Sequence, residues 1–200
     1  MWNQVIHKID LLKSSDKQKQ AFGSHHHNYT FNPVINENQL QEIEKRLSTY
    51  LPEELKSLYL EVGNGGVGPN FGVLSAFKLY GYKPEKPYRD NLTLKMMMLE
   101  KYRDKYESKD MDDDYFEIDH DDITGLIVII QEGCGHETCV VSNGEEKGNI
   151  IYVSGDGNIE ETSKTLVDIY EEWLDKELEI FNHVKKMISS KKTMMTYLKA

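Results

Sequence analysis

Two hundred residues suit one domain with terminal additions better than two full domains, and a chain of this length buries roughly 70% of its unfolded surface without needing staples. The hydrophobic share of 38% supplies one core, and a formal net charge of −10 argues against nucleic acid and anionic lipid as partners. Cys134 and Cys139 alone do not make a disulfide framework, so a reducing compartment is expected.

The longest apolar run covers only residues 126–130, too short to cross a bilayer. Residues 1–12 are interrupted by His7, Lys8 and Asp10 and lack the apolar stretch of a secretory signal. A cytoplasmic protein is expected, with no membrane partner.

In chain order, Val5, Ile9 and Leu12 have helical spacing, and a polar stretch follows to Ser24. This N-terminal piece looks like an appendage. His25, His26 and His27 read as a surface stretch. Asn36 and Gln39 have the spacing of a capping box, and Leu40, Ile43 and Leu47 form the stripe of the helix they open. Leu51-Pro52 predicts a second helix with proline at its first position; Leu55, Leu58 and Val62 are its buried residues and Gly63 its stop. Beyond a glycine-rich loop, residues 71–77 read as a strand. Asp90 or Asn91 caps a helix from Leu92 to about Glu107. Of its methionines 96–98, some belong to the core, and any left at the surface would form an adaptable contact patch. Strands are expected at 126–130, 137–142 and 149–153, the last two joined through Asn143-Gly144. A long helix begins near Thr162 or Ser163, with Leu166, Ile169, Tyr170, Trp173, Leu174, Leu178, Phe181, Val184 and Ile188 as its stripe. Helices, a strand, a helix, antiparallel strands and a helix make an α+β fold, an antiparallel sheet packed against helices. Trp173 and Leu174 are expected between sheet and helix.

Charge is unevenly placed. Between Glu100 and Asp122, eleven acids face four bases, leaving seven net negative charges. The C-terminus is basic, with Lys185, Lys186, Lys191, Lys192 and Lys199. A long acidic segment implies a basic partner or plain solvation. The candidate partner-binding residues are Asp110, Asp112, Asp113, Asp114, Tyr115, Phe116, Glu117, Asp119, Asp121 and Asp122, the two aromatics adding apolar area of the kind found at interface hot spots.

Three motifs imitate chemistry. Gly63-Asn64-Gly65-Gly66-Val67-Gly68 spells a dinucleotide fingerprint, but it follows a helix and precedes a strand, the reverse of the required order. Cys134, His136 and Cys139 offer zinc-type ligands without a second pair. As a nucleophile and base, Cys134 and His136 lack an orienting acid in the local sequence. Asp110, Asp112 and Asp114 sit at calcium-loop positions 1, 3 and 5, yet Tyr115 stands where the sharp turn needs glycine and Asp121 where a bidentate glutamate belongs. No catalytic residue, metal or cofactor is expected.

The stretch LPEELKSLYLEVGNGGVGPNFGVLSAF (residues 51–77) resembles the signature of the SUKH superfamily in its Smi/Knr-type, cell-wall assembly regulator-like branch: a Leu-Pro helix, an Asn-Gly-Gly turn and Gly-Pro-x-x-Gly. Residues 37–50, 125–153 and 165–178 resemble the family's first helix, its later strands and its closing helix with aromatic-x-x-Trp-Leu. The positions that carry this likeness are Leu51, Pro52, Asn64, Gly65, Gly66, Gly68, Pro69, Gly72, Trp173 and Leu174. The likeness divides the chain into an N-terminal helical and polar extension (1–31), a SUKH-like domain (32–182) and a basic tail continuing the last helix (183–200). It implies a bacterial immunity protein that neutralises a toxin, such as a nuclease or deaminase, by direct binding. An intracellular regulatory scaffold is the alternative, and a small Cys/His hydrolase ranks below both. The expected partner is a basic toxin domain, and the oligomeric state is left open.

Overall fold

The computed structural model describes residues 2–105 and 120–197. Five strands, β1 (Tyr80–Tyr82), β2 (Leu126–Gly133), β3 (His136–Val141), β4 (Ile150–Val153) and β5 (Ile159–Glu161), form one antiparallel sheet in sequence order. The expected α+β fold is therefore present; the expected strand at 126–130 lies within β2, and those at 137–142 and 149–153 match β3 and β4 to within one residue at each end.

β2 is continuously apolar from Leu126 to Ile130 because both faces of the sheet are covered there. Ile127, Ile129 and Ile130 face a large core built with α1 (Asn3–Ser15), α3 (Glu37–Leu47), α4 (Glu53–Ser57) and α6 (Leu166–Tyr197). Leu126 and Val128 face a smaller core under α5 (Asn91–Lys105), where Leu94 and Met98 are buried with Ile123. An irregularity between Val128 and Ile130 places two successive isoleucines on the larger core. β2 and β3 are joined through Cys134 and Gly135 alone, both with positive φ (51° and 79°), as a tight right-twisted hairpin requires.

The N-terminal residues are built into the larger core. Trp2, Val5, Ile9 and Leu12 are buried there, and Trp2 meets Tyr170 of α6 edge-on at 5.5 Å. The histidine stretch is not all surface either. It forms the short helix α2 (Ser24–His27), with His27 buried against Tyr29 and Trp173.

Local capping holds as expected at α3, where the Asn36 and Gln39 side chains bond each other's backbone N–H. Asp90 caps α5 by accepting from the Thr93 N–H at 2.6 Å. Four expectations need correction. Residues 71–77 are not a strand of the sheet: Val73 bridges only Gly66, Leu74 donates to Ile129 O at 2.8 Å, and residues 76–78 make a 3₁₀ turn. The reason is competition for backbone groups, since Tyr59 Oη donates to Leu74 O and Asn64 Oδ1 accepts the Ala76 N–H. The edge strand is instead β1, further along.

The second helix begins at Glu53, with Pro52 at its cap, and its last turn, residues 58–62, widens to π geometry. Gly63 leaves it extended (φ 173°), so positive φ falls on Gly65, Gly66 and Gly72 instead. A Cβ on Gly72 would also stand 2.0 Å from Gly66 O. Finally, α6 starts at Leu166 rather than near 162. Thr162 Oγ1 donates to Ile150 O of β4, while the Thr165 N–H donates to Asp168 Oδ2 at 2.8 Å.

Candidate interaction surface

The signature residues act as scaffold. The N–H groups from Gly63 through Val67 all bond within the chain, to Leu58, Asn32, Gly63, Val73 and Thr30 carbonyls in turn. None of these five is turned outward to hold a phosphate, so the glycine pattern has no nucleotide-binding geometry. Asn64 is buried, Leu51 and Pro52 sit in the core region, and Gly68 packs near Val73 and the Tyr170 hydroxyl. Pro69 is half-buried beside it. Tyr170 Oη donates to Val67 O at 2.6 Å and thereby ties α6 to the loop; complete burial drives its pKa well above that of a free tyrosine. Leu174 is buried, and Trp173 is half-buried against the same core.

The cysteines are kept apart in role. Cys134 is exposed at the hairpin tip, next to exposed His136. Cys139 is wholly buried between Val128 and Ile151, and burial pushes its thiol far above the usual range, which keeps it unreactive. Among the described residues, no group of three or more His, Cys, Asp or Glu is placed to hold a metal ion.

Of the acidic candidates, Asp110, Asp112, Asp113, Asp114, Tyr115, Phe116, Glu117 and Asp119 lie outside the described residues. The end of the segment is described and is tied to the domain. Asp121 O accepts from Lys83 Nζ, Asp122 O accepts from Arg89 Nη1 at 3.1 Å, and the His120 ring lies edge-on to Tyr82 at 5.8 Å.

The other end leaves from α5, whose composition is unusual. Its inner face buries Leu94 and Met98, four residues apart. Its outer face carries Leu92, Met96 and Leu99, which are 69%, 57% and 44% exposed and spaced 4 and 3 residues apart. A helix apolar on two opposite sides is suited to burial on both. The sequence signal was the near-gapless apolar run from Leu92 to Leu99, in which the methionine triplet alone suggested a contact patch.

The neighbouring sheet surface is polar and ordered. Tyr80 and Tyr82 both donate to the Glu137 carboxylate, the Tyr82 bond at 2.6 Å, and Gln131 Nε2 donates to Tyr80 Oη at 2.8 Å. Burial, and then the bond to Glu137, pushes Tyr80 up to about 12. Both tyrosines remain protonated donors at neutral pH, and Glu137 is their acceptor.

No described helix is long and apolar enough to cross a membrane. Neither a curated protein nor a solved structure matches this chain. A family model does match: that of the SMI1 / KNR4 family (SUKH-1), over residues 34–176. This stretch runs from the approach to α3 into the middle of α6, and it contains the glycine loop, the whole sheet and the Trp173-Leu174 pair. With the match extending over well more than half of its length, the chain belongs to the SMI1 / KNR4 family (SUKH-1).

Proposed function

We propose that this chain is a cytoplasmic immunity protein that neutralises a toxin by direct protein–protein binding, without cofactor or chemistry of its own. The observation that carries the reading is the two-sided α5: its outer residues Leu92, Met96 and Leu99 are exposed, and the chain runs from this helix straight into the acidic segment. Apolar area beside concentrated like charge suits a basic partner with an apolar anchor point, because opposed charge accelerates encounter and apolar burial slows release. The nucleic-acid groove of a nuclease or deaminase toxin has that chemistry. Family membership supports a role in protein binding over catalysis.

The test is co-expression with the toxin encoded beside this chain. The wild-type chain should restore growth. A variant carrying Met96→Glu and Leu99→Glu should fold but fail to protect, and purified toxin should bind it at least tenfold more weakly. Undiminished binding by the variant would remove α5 from the interface.

A further inference from the structure

Residues 2–29 are joined to the rest of the chain unevenly. They lie ahead of the family match, which begins at residue 34. Among the described residues, the first backbone bond from this end to the later domain runs from the Val67 N–H to Thr30 O at 3.0 Å. Everything before it is held by side chains. Val5, Ile9 and Leu12 of α1 share a core with Tyr170 and Leu174 of α6, Trp2 Nε1 donates to Ser57 Oγ at 3.1 Å, and Lys8 pairs with Asp175 at 2.7 Å.

Between α1 and Thr30 the chain closes on itself in a small latch. The buried Asp16 carboxylate accepts the Gln20 and Ala21 N–H groups and the Tyr29 hydroxyl, at 2.7, 2.9 and 2.7 Å. Burial raises the Asp16 pKa, but the bonds from Ala21, Gln20 and Tyr29 outweigh it and hold the group below its ordinary 3.8. The other half of the latch is poorly satisfied. Ser24 Oγ and His27 Nε2 are both buried, and neither has a hydrogen-bond partner among the described residues. Asn28 and Tyr29 follow with φ at 52° and 53°, a left-handed conformation that strains a bulky tyrosine more than an asparagine. Orphaned polar atoms and strained backbone persist only where their surroundings enforce them. Here the enforcing contacts are the Trp173 ring, which meets His27 edge-on at 5.8 Å, and the packing of α1 on α6.

We infer that residues 2–29 are a separable strap, which lifts off α6 as one piece when His27 takes up a proton, while the sheet and the remaining helices stay folded. The geometry sets the trigger. His27 Nδ1 accepts the Tyr29 N–H, so a proton there replaces a bond with two opposed donors, in a ring whose Nε2 already lacks a partner. The titratable groups around the ring are His25 and His26 on its own helix, Asp16 and Tyr29 in the latch, and Glu177 on α6. Burial, then His26, lowers the His27 pKa from 6.5 to about 4. The open strap therefore takes the proton first: closure is fully favoured above about pH 6.5 and weakens as pH falls toward 4. Glu177 acts in the opposite sense. Burial raises its pKa, with Lys176 opposing and Asp16 adding, so its protonation favours the closed strap as pH falls through that raised value. Asp16, held below 3.8, stays charged at pH 5.

The experiment is native-state hydrogen exchange at pH 7 and pH 5, corrected for intrinsic exchange rates, so that protection reports the opening equilibrium. The Ile9 and Leu12 amides report the strap; those of Cys139 and Val140, in the central strand β3, report global unfolding. At pH 7 the opening constant of the strap should exceed that of β3 at least tenfold. From pH 7 to pH 5 the strap constant should rise about a further tenfold, allowing for screening. In His27→Asn, which offers an oxygen in place of Nδ1 and does not titrate, that rise should fall below threefold. His27→Phe should behave alike.

A gap between strap and β3 of less than tenfold overturns the inference, because residues 2–29 would then open only with the whole domain. So does a rise below threefold in the wild type, and so does a larger rise that survives in both variants. The wild type decides the first two points without any substitution. No toxin is present, so the outcome is separate from that of the co-expression test.

Discussion

The two faces of the sheet are covered in opposite ways. Four helices close the first face, and over the sheet most of their apolar residues turn inward, as Leu55, Leu58, Ile169 and Leu174 do, with Ile6 and Leu11 of α1 and Ile180, Val184 and Met187 of the outer part of α6 left exposed. One helix covers the second, and its apolar residues divide between the sheet and the outside. The first arrangement concentrates stability: many elements share one core, so each side chain touches several others. The second keeps less of its apolar area for the fold and leaves the remainder available for contact. Apolar area is thus used differently on the two faces of one sheet, and only the second helps the proposed binding.

Substitutions on the two faces should therefore differ in kind. Ile127→Ala, on the first face, should cost about 3–4 kcal/mol in urea unfolding, because the four-helix core has little freedom to collapse into the void. Leu94→Ala, under α5, should cost about 2–3 kcal/mol, since one helix settles onto the sheet more easily. An equal loss at both sites would remove the contrast.

Acid should act on the first face through His27. This ring is buried, its Nδ1 accepts the Tyr29 N–H at 3.1 Å, and its Nε2 has no hydrogen-bond partner among the described residues. Burial, aided by His26, lowers its pKa from 6.5 to about 4. The unfolded chain therefore takes up the proton first. The stability contributed by the neutral ring is complete above about pH 6.5 and is lost as pH falls toward 4. The loss should reach about 2 kcal/mol, discounted for solvent screening. His27→Phe should flatten that part of the profile of unfolding free energy against pH.

Tyr170→Phe should cost about 1–2 kcal/mol by leaving Val67 O without its donor. On the second face, Met96→Glu with Leu99→Glu should change stability by less than about 0.5 kcal/mol. Asp112→Asn, Asp113→Asn and Asp114→Asn together should slow association with a basic partner and weaken its salt dependence, as read from association rates at several ionic strengths.

What the sequence made legible follows from range. The capping box at Asn36 and the Asp90 cap are set by residues three apart, and the stripe of α6 by a period of 3.6, so both are visible without a fold. β2 showed itself through five consecutive apolar residues. Residues 71–77 misled because they are mostly apolar between turn signals, but side chains from elsewhere, Tyr59 and Asn64, occupy the backbone groups a ladder would use. β1 and β5 escaped notice because each is three residues long, at an edge, where pairing sets the strand more than composition does. For the proposed interaction surface, composition pointed to the acidic segment, whereas the exposed half of α5 became visible only when the sheet had taken Leu94 and Met98.

The pairing of α1 with α6 has a consequence for biosynthesis. α1 leaves the ribosome before every other element described here, with Trp2, Val5, Ile9 and Leu12 already exposed, and the helix that covers them, α6, emerges after the whole sheet. The sheet forms in the interval, each strand finding the neighbour made just before it, and the short connections from β2 to β5 favour quick assembly. Throughout that time the first helix is an unsatisfied apolar surface of the kind chaperones hold. Closure comes when Tyr170 meets the Trp2 ring and Lys8 pairs with Asp175 at 2.7 Å. Trp2 fluorescence in nascent chains of increasing length should therefore stay unquenched and red-shifted until α6 has cleared the exit tunnel, making a residue beside α1 the reporter of α6 docking.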